Sequence, residues 1–491
     1  MSTIRPLTRP SRRSTSPPKL LLYEQVADHL ASVIGAGTLR PGDRLPSLRH
    51  TSVRRRVSLS TSLAAYALLE SRGLVEARPQ SGFYVRPHLS ARVDEPPARA
   101  CRCAPTSVDI GVLAARVFKA ALDPRIVPLG AACPSPDILP TRELARLAAA
   151  IARAPGSDLN TYAFPPGRIE FRRELARRTV DWRQPLSAAD VTITCGATEA
   201  LRLALSAVTK MGDVVAVESP AYFGTLLLFE HLGLRAIELP TDPGTGLQLA
   251  ALGRALERGR VAACVVSPTS QNPLGASMSD DAKVDLLALL ERNDVPLIED
   301  DVYGDAYHGA ERPLPAKAID RRGQIILCSS FSKLVAPGYR VGWVAGGRYH
   351  APITQRQLTT TLAQPALPQL AMAAFLSGGA YDRYLRRTRT LFARQVALGR
   401  EAVARHFPSG TKVTRPTGGF VLWVELPLAV DALRLGDDAM QAGISIAPGP
   451  LFSPRQDYRN CIRLSCGTPW SPAIEAAFRT LGRLASEQLS S

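Results

Sequence analysis

Ser330-Phe331-Ser332-Lys333-Leu334-Val335-Ala336-Pro337-Gly338-Tyr339-Arg340-Val341-Gly342-Trp343 comes after the apolar run Ile325-Ile326-Leu327-Cys328 and one serine. A strand ending in small hydroxyl residues, then a lysine, then a loop carrying an arginine, suits an aldehyde cofactor that bears a phosphate. A lysine amine forms a Schiff base with a carbonyl. Serine hydroxyls and a guanidinium hold a dianion. Lys333 is therefore the first candidate for chemistry, with Ser330, Ser332 and Arg340 as phosphate ligands.

Working outward, apolar runs of β type alternate with helical segments from about residue 127: Val191–Thr194, Val214–Val217, Val261–Val266, Pro296–Ile298 and Ile325–Cys328. This alternation predicts an α/β domain with a mostly parallel sheet. Ligands in such sheets bind beyond the carboxyl ends of the strands, and the polar candidates fall just there. Gly196-Ala197-Thr198 opens a helix whose free N–H groups suit a phosphate. Tyr222 offers an aromatic face to a ring. Asn272, in Gln271-Asn272-Pro273-Leu274-Gly275, offers an amide to a phenolate oxygen. Glu299-Asp300-Asp301-Val302-Tyr303 brings carboxylates and a phenol; a carboxylate facing a pyridine nitrogen keeps it protonated, so that the ring draws electrons. Ser330-x-x-Lys333 also fits the Ser-x-x-Lys of penicillin-binding proteins, but their Ser-Asp-Asn and Lys-Thr-Gly partners are absent from the chain, as is a Gly-Lys-Ser/Thr phosphate loop.

At 491 residues the chain is long enough for two or more domains. No run approaches 18 apolar residues, which argues against a membrane span. The eight cysteines include no CxxC pair, so zinc and thioredoxin-type chemistry have no support; no metal site is expected, and reduced thiols fit a cytoplasmic protein. The net charge of +17 is uneven: residues 1–90 hold fourteen Lys/Arg against five Asp/Glu. Such clustering points to a polyanion partner. Residues 1–19 carry Arg5, Arg9, Arg12, Arg13 and Lys19 without an apolar h-region, and are expected to be a disordered basic arm rather than a secretory signal.

The next segment has its own pattern. Leu22, Val26, Leu30, Val33 and Ile34 recur at helical spacing. Ser47 is placed to N-cap a second helix, about Leu48 to Arg55, and Ser58 a third, Leu59 to Arg72, with Leu63, Tyr66, Ala67 and Leu69 on a 3.6-residue period. Gly73 ends it. Leu74–Arg78, a turn at Pro79–Gly82, and Phe83–Val85 make a β-hairpin. Residues 87–106 read as a linker, followed by a short helix at about 108–122.

Helix, helix, turn, helix and hairpin over about 20–86 resembles the GntR-type winged helix-turn-helix. The matching pieces are Leu22-Tyr23-Glu24-Gln25, Leu39-Arg40-Pro41-Gly42-Asp43-Arg44-Leu45-Pro46-Ser47, Leu68-Leu69-Glu70-Ser71-Arg72-Gly73-Leu74-Val75 and Ser81-Gly82-Phe83. The resemblance implies double-stranded operator DNA as partner. The third helix enters the major groove with Ser58, Ser60, Thr61 and Ser62. Arg44, Arg49, Arg54, Arg55 and Arg56 meet phosphates, and the wing at Ser81 and Gly82 touches the backbone. Two positions depart from the family pattern. Leu59 stands where an arginine is usual, and Thr51-Ser52 where Leu-Ala is usual, which puts a polar Thr51 on a core-facing position.

Residues 107–491 resemble fold-type-I pyridoxal-5'-phosphate proteins of the aminotransferase type, with a smaller C-terminal part from about 350. The resemblance implies Lys333 as the Schiff-base lysine and Asp300, by the Asp-x-x-Tyr spacing ending at Tyr303, as the pyridinium partner. It implies Asn272 and Tyr303 beside the ring hydroxyl, Tyr222 stacked on the ring, and Ala197, Thr198, Ser330, Ser332 and Arg340 on the phosphate. Tyr162, in Asn160-Thr161-Tyr162-Ala163-Phe164, resembles the tyrosine that reaches a neighbouring subunit's phosphate in a head-to-tail homodimer. Arg463, in Cys461-Ile462-Arg463-Leu464-Ser465, resembles the arginine that clamps an α-carboxylate. The two halves together resemble MocR-type transcription regulators. Two functions stay open: a regulator sensing an amine, an amino acid or vitamin B6 itself, and a working aminotransferase with an inert or ancillary DNA module.

Overall fold

The computed structural model describes residues 21–35, 38–39, 43–71, 74–78, 81–85, 93–101, 103–154, 158–259 and 261–490. The expected basic arm, the turns at Pro41-Gly42 and Pro79-Gln80, and Gly73 lie outside the described residues. The chain divides into two compact units, residues 1–90 and 91–491.

In the first unit α1 (Leu22–Gly35), α2 (Leu48–Arg55) and α3 (Leu59–Ser71) precede β1 (Val75–Arg78) and β2 (Gly82–Val85). The Ser47 hydroxyl accepts from the His50 N–H at 3.2 Å, and the Ser58 hydroxyl from the Thr61 N–H at 3.0 Å, so both helices start at a serine cap. The strands pair antiparallel, Val75 opposite Val85. Val26, Leu30 and Ile34 of α1, Tyr66 and Leu69 of α3, Val75 and Val85 of the hairpin, and Leu45 before α2 form one core. Leu63, expected on the core-facing period, is 53 % exposed instead. The buried stripe of α3 runs through Ser62, Ala65, Tyr66 and Leu69, and Leu63 lies beyond its edge.

Thr51 is buried as its position predicts, yet it is not left unsatisfied. Its hydroxyl bonds the Tyr66 hydroxyl at 2.8 Å, and Tyr66 donates on to the Pro46 carbonyl at 2.8 Å. A polar residue in this small core is thus matched by a second one from α3, which removes most of the desolvation cost.

The second unit begins with β3 (Thr106–Ser107), α4 (Gly111–Ala120), β4 (Val127–Pro128), α5 (Thr141–Arg153) and α6 (Ile169–Arg177). Then come β5 (Val191–Thr194), α7 (Gly196–Val208), β6 (Val214–Ser219), α8 (Phe223–Leu232), β7 (Arg235–Asp242), β8 (Gly246–Leu247), α9 (Leu249–Glu257) and β9 (Val261–Val266). After α10 (Asp280–Arg292) follow β10 (Leu297–Asp300), β11 (Ile325–Ser330) and β12 (Gly342–Ala345). The large sheet has the order β3-β7-β6-β9-β10-β11-β12-β5, with β8 beside β7. The five neighbours from β7 to β11 run parallel, whereas β12 and the edge strand β3 run antiparallel to theirs. Helices cover the sheet, so its strands are buried on both faces and read as continuous apolar runs rather than alternations.

The linker expected at 87–106 is corrected over its described part. Val93 packs on the main core, the Asp94 carbonyl accepts from the Val413 N–H, and Arg99 pairs with Glu425 at 3.1 Å. Thr106 and Ser107 add a strand to the large sheet. Low periodicity hid a segment that is fixed by backbone and ionic contacts instead of an apolar face.

The C-terminal part contains α11 (His350–Thr360), α12 (Ala366–Ser377), α13 (Ala380–His406), β13 (Lys412–Val413), β14 (Val421–Glu425), α14 (Ala432–Gln441), β15 (Ile444–Ser445), β16 (Ala447–Pro448), β17 (Cys461–Ser465) and α15 (Pro472–Ser490). Its four-stranded sheet, β13-β14-β17-β16, is antiparallel and starts at Lys412. The expected start of this part near 350 instead falls on α11, which packs against α7 of the large sheet. No helix among the described residues is long and apolar enough to cross a membrane.

Candidate functional site

Four parallel strands end on one cavity. The chain leaves β5 into the first turn of α7, β9 into Ser267–Asn272, β10 at Asp300 and β11 at Ser330. Between them lies a cavity of about 100 Å³ lined by Ala197, Thr198, Tyr222, Asn272, Asp300, Tyr303, Ser330, Ser332, Lys333 and Arg340. The alternation of strand and helix thus gathers residues that are far apart in the chain, as expected for crevices at strand carboxyl ends. Ser267, Thr269, Ser270, Leu201 and Val302 complete the wall. These five were not among the candidates read from sequence. Ser267-Pro268-Thr269-Ser270 is a polar tail directly after β9, the same signal that marked Asn272.

Lys333 donates from Nζ to the Ala132 carbonyl at 2.7 Å. Burial lowers its pKa; the nearby Arg463 and Arg340 act in the same direction, whereas Cys133 and Asp300 oppose it. The amine is thereby biased toward its neutral, nucleophilic form. Asp300 is pushed up to about 6 by burial and by Asp301, against the pull of the Val302 N–H and Lys333. It remains largely ionised at neutral pH. Burial pushes Tyr222 up to about 12 and raises Tyr303 further, so both phenols stay protonated.

Asp301 faces the other way. It takes Arg312 at 2.6 Å, and Arg312 also holds Asp305 at 2.7 Å. This pairing distinguishes the two adjacent aspartates: Asp301 is committed to a structural ion pair, while Asp300 lines the cavity.

Arg463 lies on β17 opposite Trp423 of β14 and is fully buried. Its guanidinium donates to Asn272 Oδ1 at 3.3 Å and to the Gly130 carbonyl, and sits over the rings of Phe223 and Phe452. Burial lowers its pKa; the groups opposing that are Tyr303, Tyr222 and Cys133, none of them a carboxylate. Its Nε has no partner among the described residues. A buried cation without a counter-ion is expensive unless an anion arrives.

The phosphate end is built on close approach. Gly196 has φ +74°, and a Cβ there would stand 2.6 Å from Arg340 Nη2. Arg340 reaches the Cys195 carbonyl at 3.2 Å and Ser332 Oγ at 3.3 Å. The guanidinium, the Ser332 hydroxyl and the first-turn N–H groups of α7 therefore meet at one point. Glu199, one turn into α7, accepts from Cys195 N–H, Thr361 and, at 2.7 Å, Gln364, which ties the turn down.

These residues fit pyridoxal phosphate on features independent of any resemblance. The Tyr303 hydroxyl is buried without a partner among the described residues, as are Thr269 Oγ1 and Ser270 Oγ. All three belong to cavity-lining residues, and orphaned polar groups of this kind want a polar ligand. Tyr162 stands apart: it is 70 % exposed, rests on Phe164 and is not in the cavity wall.

In the first unit Arg49, Arg54, Arg55 and Arg56 are exposed. Arg44 bridges to Tyr84 in the wing, and its Nε would meet a Cβ on Gly82 at 3.3 Å, so Arg44, Ser81 and Gly82 form one patch. Ser62 must be withdrawn from the DNA-facing set. It is fully buried on the stripe that packs α3 against the core, and its hydroxyl has no partner among the described residues.

Residues 137–473 match the family of class I and II aminotransferases, and residues 22–85 match the gntR family of bacterial regulatory proteins. The chain is 40 % identical to the HTH-type transcriptional regulator YdcR of Escherichia coli (strain K12), over 95 % of this chain and 99 % of that protein. It is 36 % identical to YjiR of the same organism, over 94 % and 98 %. Among solved structures it resembles LysN, the α-aminoadipate aminotransferase of Thermus thermophilus in complex with N-(5'-phosphopyridoxyl)-L-leucine, with TM-score 0.72 and 28 % identity over 76 % of this chain and 95 % of that one.

Proposed function

The chain belongs to the MocR type of gntR-family regulator, a DNA-binding module joined to an aminotransferase-like domain, and from that premise we propose that it is a pyridoxal-phosphate-dependent transcription regulator. Residues 20–86 serve as the DNA-binding domain. The aminotransferase-like domain senses an amine, an amino acid or a vitamin B6 compound. DNA as partner sets its work in the cytoplasm.

Pyridoxal 5'-phosphate supplies an aldehyde for amines and a ring that withdraws electrons from them. The residues of the chain hold that group and select what meets it. Lys333 offers a neutral amine to the aldehyde. Asp300 would keep a proton on the pyridine nitrogen, and Tyr303 and Asn272 would serve the ring hydroxyl. Tyr222 would cover the ring face, and Ala197, Thr198, Ser330, Ser332 and Arg340 would hold the phosphate. Arg463 takes an α-carboxylate in a bidentate grip. A head-to-tail homodimer would bring the exposed Tyr162 to a second copy's phosphate.

The observation that carries a sensor of amino acids is Arg463: a fully buried guanidinium, bonded to Asn272 and with no carboxylate paired to it among the described residues. The test is spectroscopic and chemical. Saturation with pyridoxal phosphate should give a visible band, and borohydride should fix a phosphopyridoxyl group on the Lys333 peptide, absent in Lys333→Ala. Candidate amino acids should shift the band and change affinity for the DNA upstream of the chain's own gene. A colourless protein that borohydride leaves unmodified would overturn the cofactor, and indifference of DNA affinity to every amine would overturn the sensor.

A second reading, a working aminotransferase, is favoured by the cavity that gathers Lys333, Asp300, Tyr303, Asn272 and Tyr222, with buried Arg463 bonded to Asn272. Sustained exchange between an amino acid and a keto acid, without DNA binding, would select it.

A further inference from the structure

The helix expected to read the operator has almost nothing with which to read it by hydrogen bonds. From Leu59 to Ser71 the sequence is LSTSLAAYALLES, with no Arg, Lys, His, Asn or Gln. Bidentate recognition of guanine or adenine edges needs those side chains. The hydroxyls at the start of the helix bond one another or are buried. Ser58 Oγ bonds Ser60 Oγ at 2.8 Å and Thr61 Oγ1 at 2.7 Å besides capping the helix, and Ser62 is buried. Glu70 accepts from the Ala77 N–H at 3.0 Å, against the hairpin.

What α3 does present is apolar. Leu59 and Leu63, one turn apart on one face, are 49 % and 53 % exposed. Ala64 and Ala67 extend that exposed face. Lone exposed leucines are ordinary, but these two sit together at the helix end that enters the groove in this module. The last turn of α2 and the residue that caps it carry exposed Arg54, Arg55 and Arg56. An apolar strip behind a row of cations complements a groove whose walls are phosphates and whose floor carries methyl groups. In duplex DNA only thymine offers such a group, its C5-methyl, in the major groove.

We propose that α3 recognises its operator by apolar contact of Leu59 and Leu63 with thymine methyl groups, the arginines around it fixing position on the backbone without reading sequence. This rests on the DNA-binding reading above and names the chemistry of that site. Each half-site should therefore contain one or two thymines whose methyl groups carry discrimination. Guanines recognised through O6 and N7 by residues of α3 should be absent.

The experiment uses the full-length chain saturated with pyridoxal phosphate. Duplexes are selected from a random library, and in the winning sequence each thymine is replaced by deoxyuridine, which deletes the methyl and keeps the pairing. We expect one or two positions per half-site to weaken binding about fourfold each, the loss of one buried methyl-sized group. Leu59→Ala with Leu63→Ala should abolish that sensitivity while leaving the salt dependence unchanged, since that dependence comes from the arginines. Leu63→Met should keep it, which guards against a double variant that fails to fold. Arg54→Ala should weaken thymine and deoxyuridine duplexes equally. A selected duplex indifferent to every deoxyuridine, or a library that yields no preferred sequence, overturns the proposal. So does a leucine variant that changes only self-association, since the strip would then pack a second copy. No DNA binding at all would instead sink the regulator reading itself.

Discussion

Asp300 and Asp301 are chemically identical neighbours with opposite duties, and the burial of Asp300 has a consequence for stability. In the folded chain its carboxyl keeps a proton up to about 6, whereas an unfolded aspartate releases it near 4. The folded state binds the extra proton in that window. The contribution of this group to stability is thus full below about pH 4 and lost as pH rises to 6. Asp300→Asn should stabilise the cofactor-free protein by on the order of 1–3 kcal/mol at pH 7.5 and by almost nothing at pH 4, while weakening retention of pyridoxal phosphate. Urea melts of both proteins at the two pH values, with the cofactor dialysed out, measure it; an equal difference at both would remove the carboxylate as cause. The sequence showed an acidic pair and a tyrosine but could settle the choice of Asp300 only by resemblance. The physical reason, Arg312 claiming Asp301 and Asp305, joins residues seven and eleven apart in a loop without periodicity.

At the scale of elements, helices with serine caps and strands with apolar runs were legible because local chemistry specifies them: α2 and α3 begin where Ser47 and Ser58 cap them. The facing of α3 was less legible, since its sequence mixes small, hydroxyl and apolar residues on every side. The sequence pattern therefore places Leu63 inward and Ser62 outward, the reverse of the structure. The Thr51–Tyr66 bond that joins α2 to α3 predicts a non-additive pair of variants. Tyr66→Phe leaves Thr51 without its partner and should cost about 1–3 kcal/mol. Adding Thr51→Val should recover part of that loss, because two apolar groups replace one orphan. Hydrogen exchange of amides in 43–71 of the full chain reads both; additive losses would mean that the bond contributes nothing. The glycine opening α7 makes a second prediction. With φ +74° and no room for a Cβ beside Arg340, Gly196→Ala should lower pyridoxal phosphate affinity at least tenfold, measured by the visible band, while the overall melting transition survives.

For the whole molecule the open matter is what links a small ligand to DNA. Two compact units fold around separate cores, and the sequence separated them by composition: a basic winged helix against a long α/β chain. Composition says nothing about coupling, which is a difference in free energy between states. If an amino acid held by Lys333 and Arg463 changes DNA affinity by some factor, linkage requires DNA to change the affinity for that amino acid by the same factor. Typical couplings of about 1–3 kcal/mol correspond to roughly 5- to 150-fold. The spectral titration with the amino acid should therefore shift its midpoint in the presence of saturating operator DNA, by the ratio found in the DNA titration. Arg463→Met should lose the amino-acid titration and with it the coupling, yet keep DNA binding and the visible band, because its hydrogen bonds go to Asn272 and the Gly130 carbonyl rather than to Lys333 or the residues proposed for the phosphate. Equal midpoints with and without DNA, beside an amino acid that alters DNA affinity, would break reciprocity and mean that the ligand acts at some site other than the cavity around Lys333.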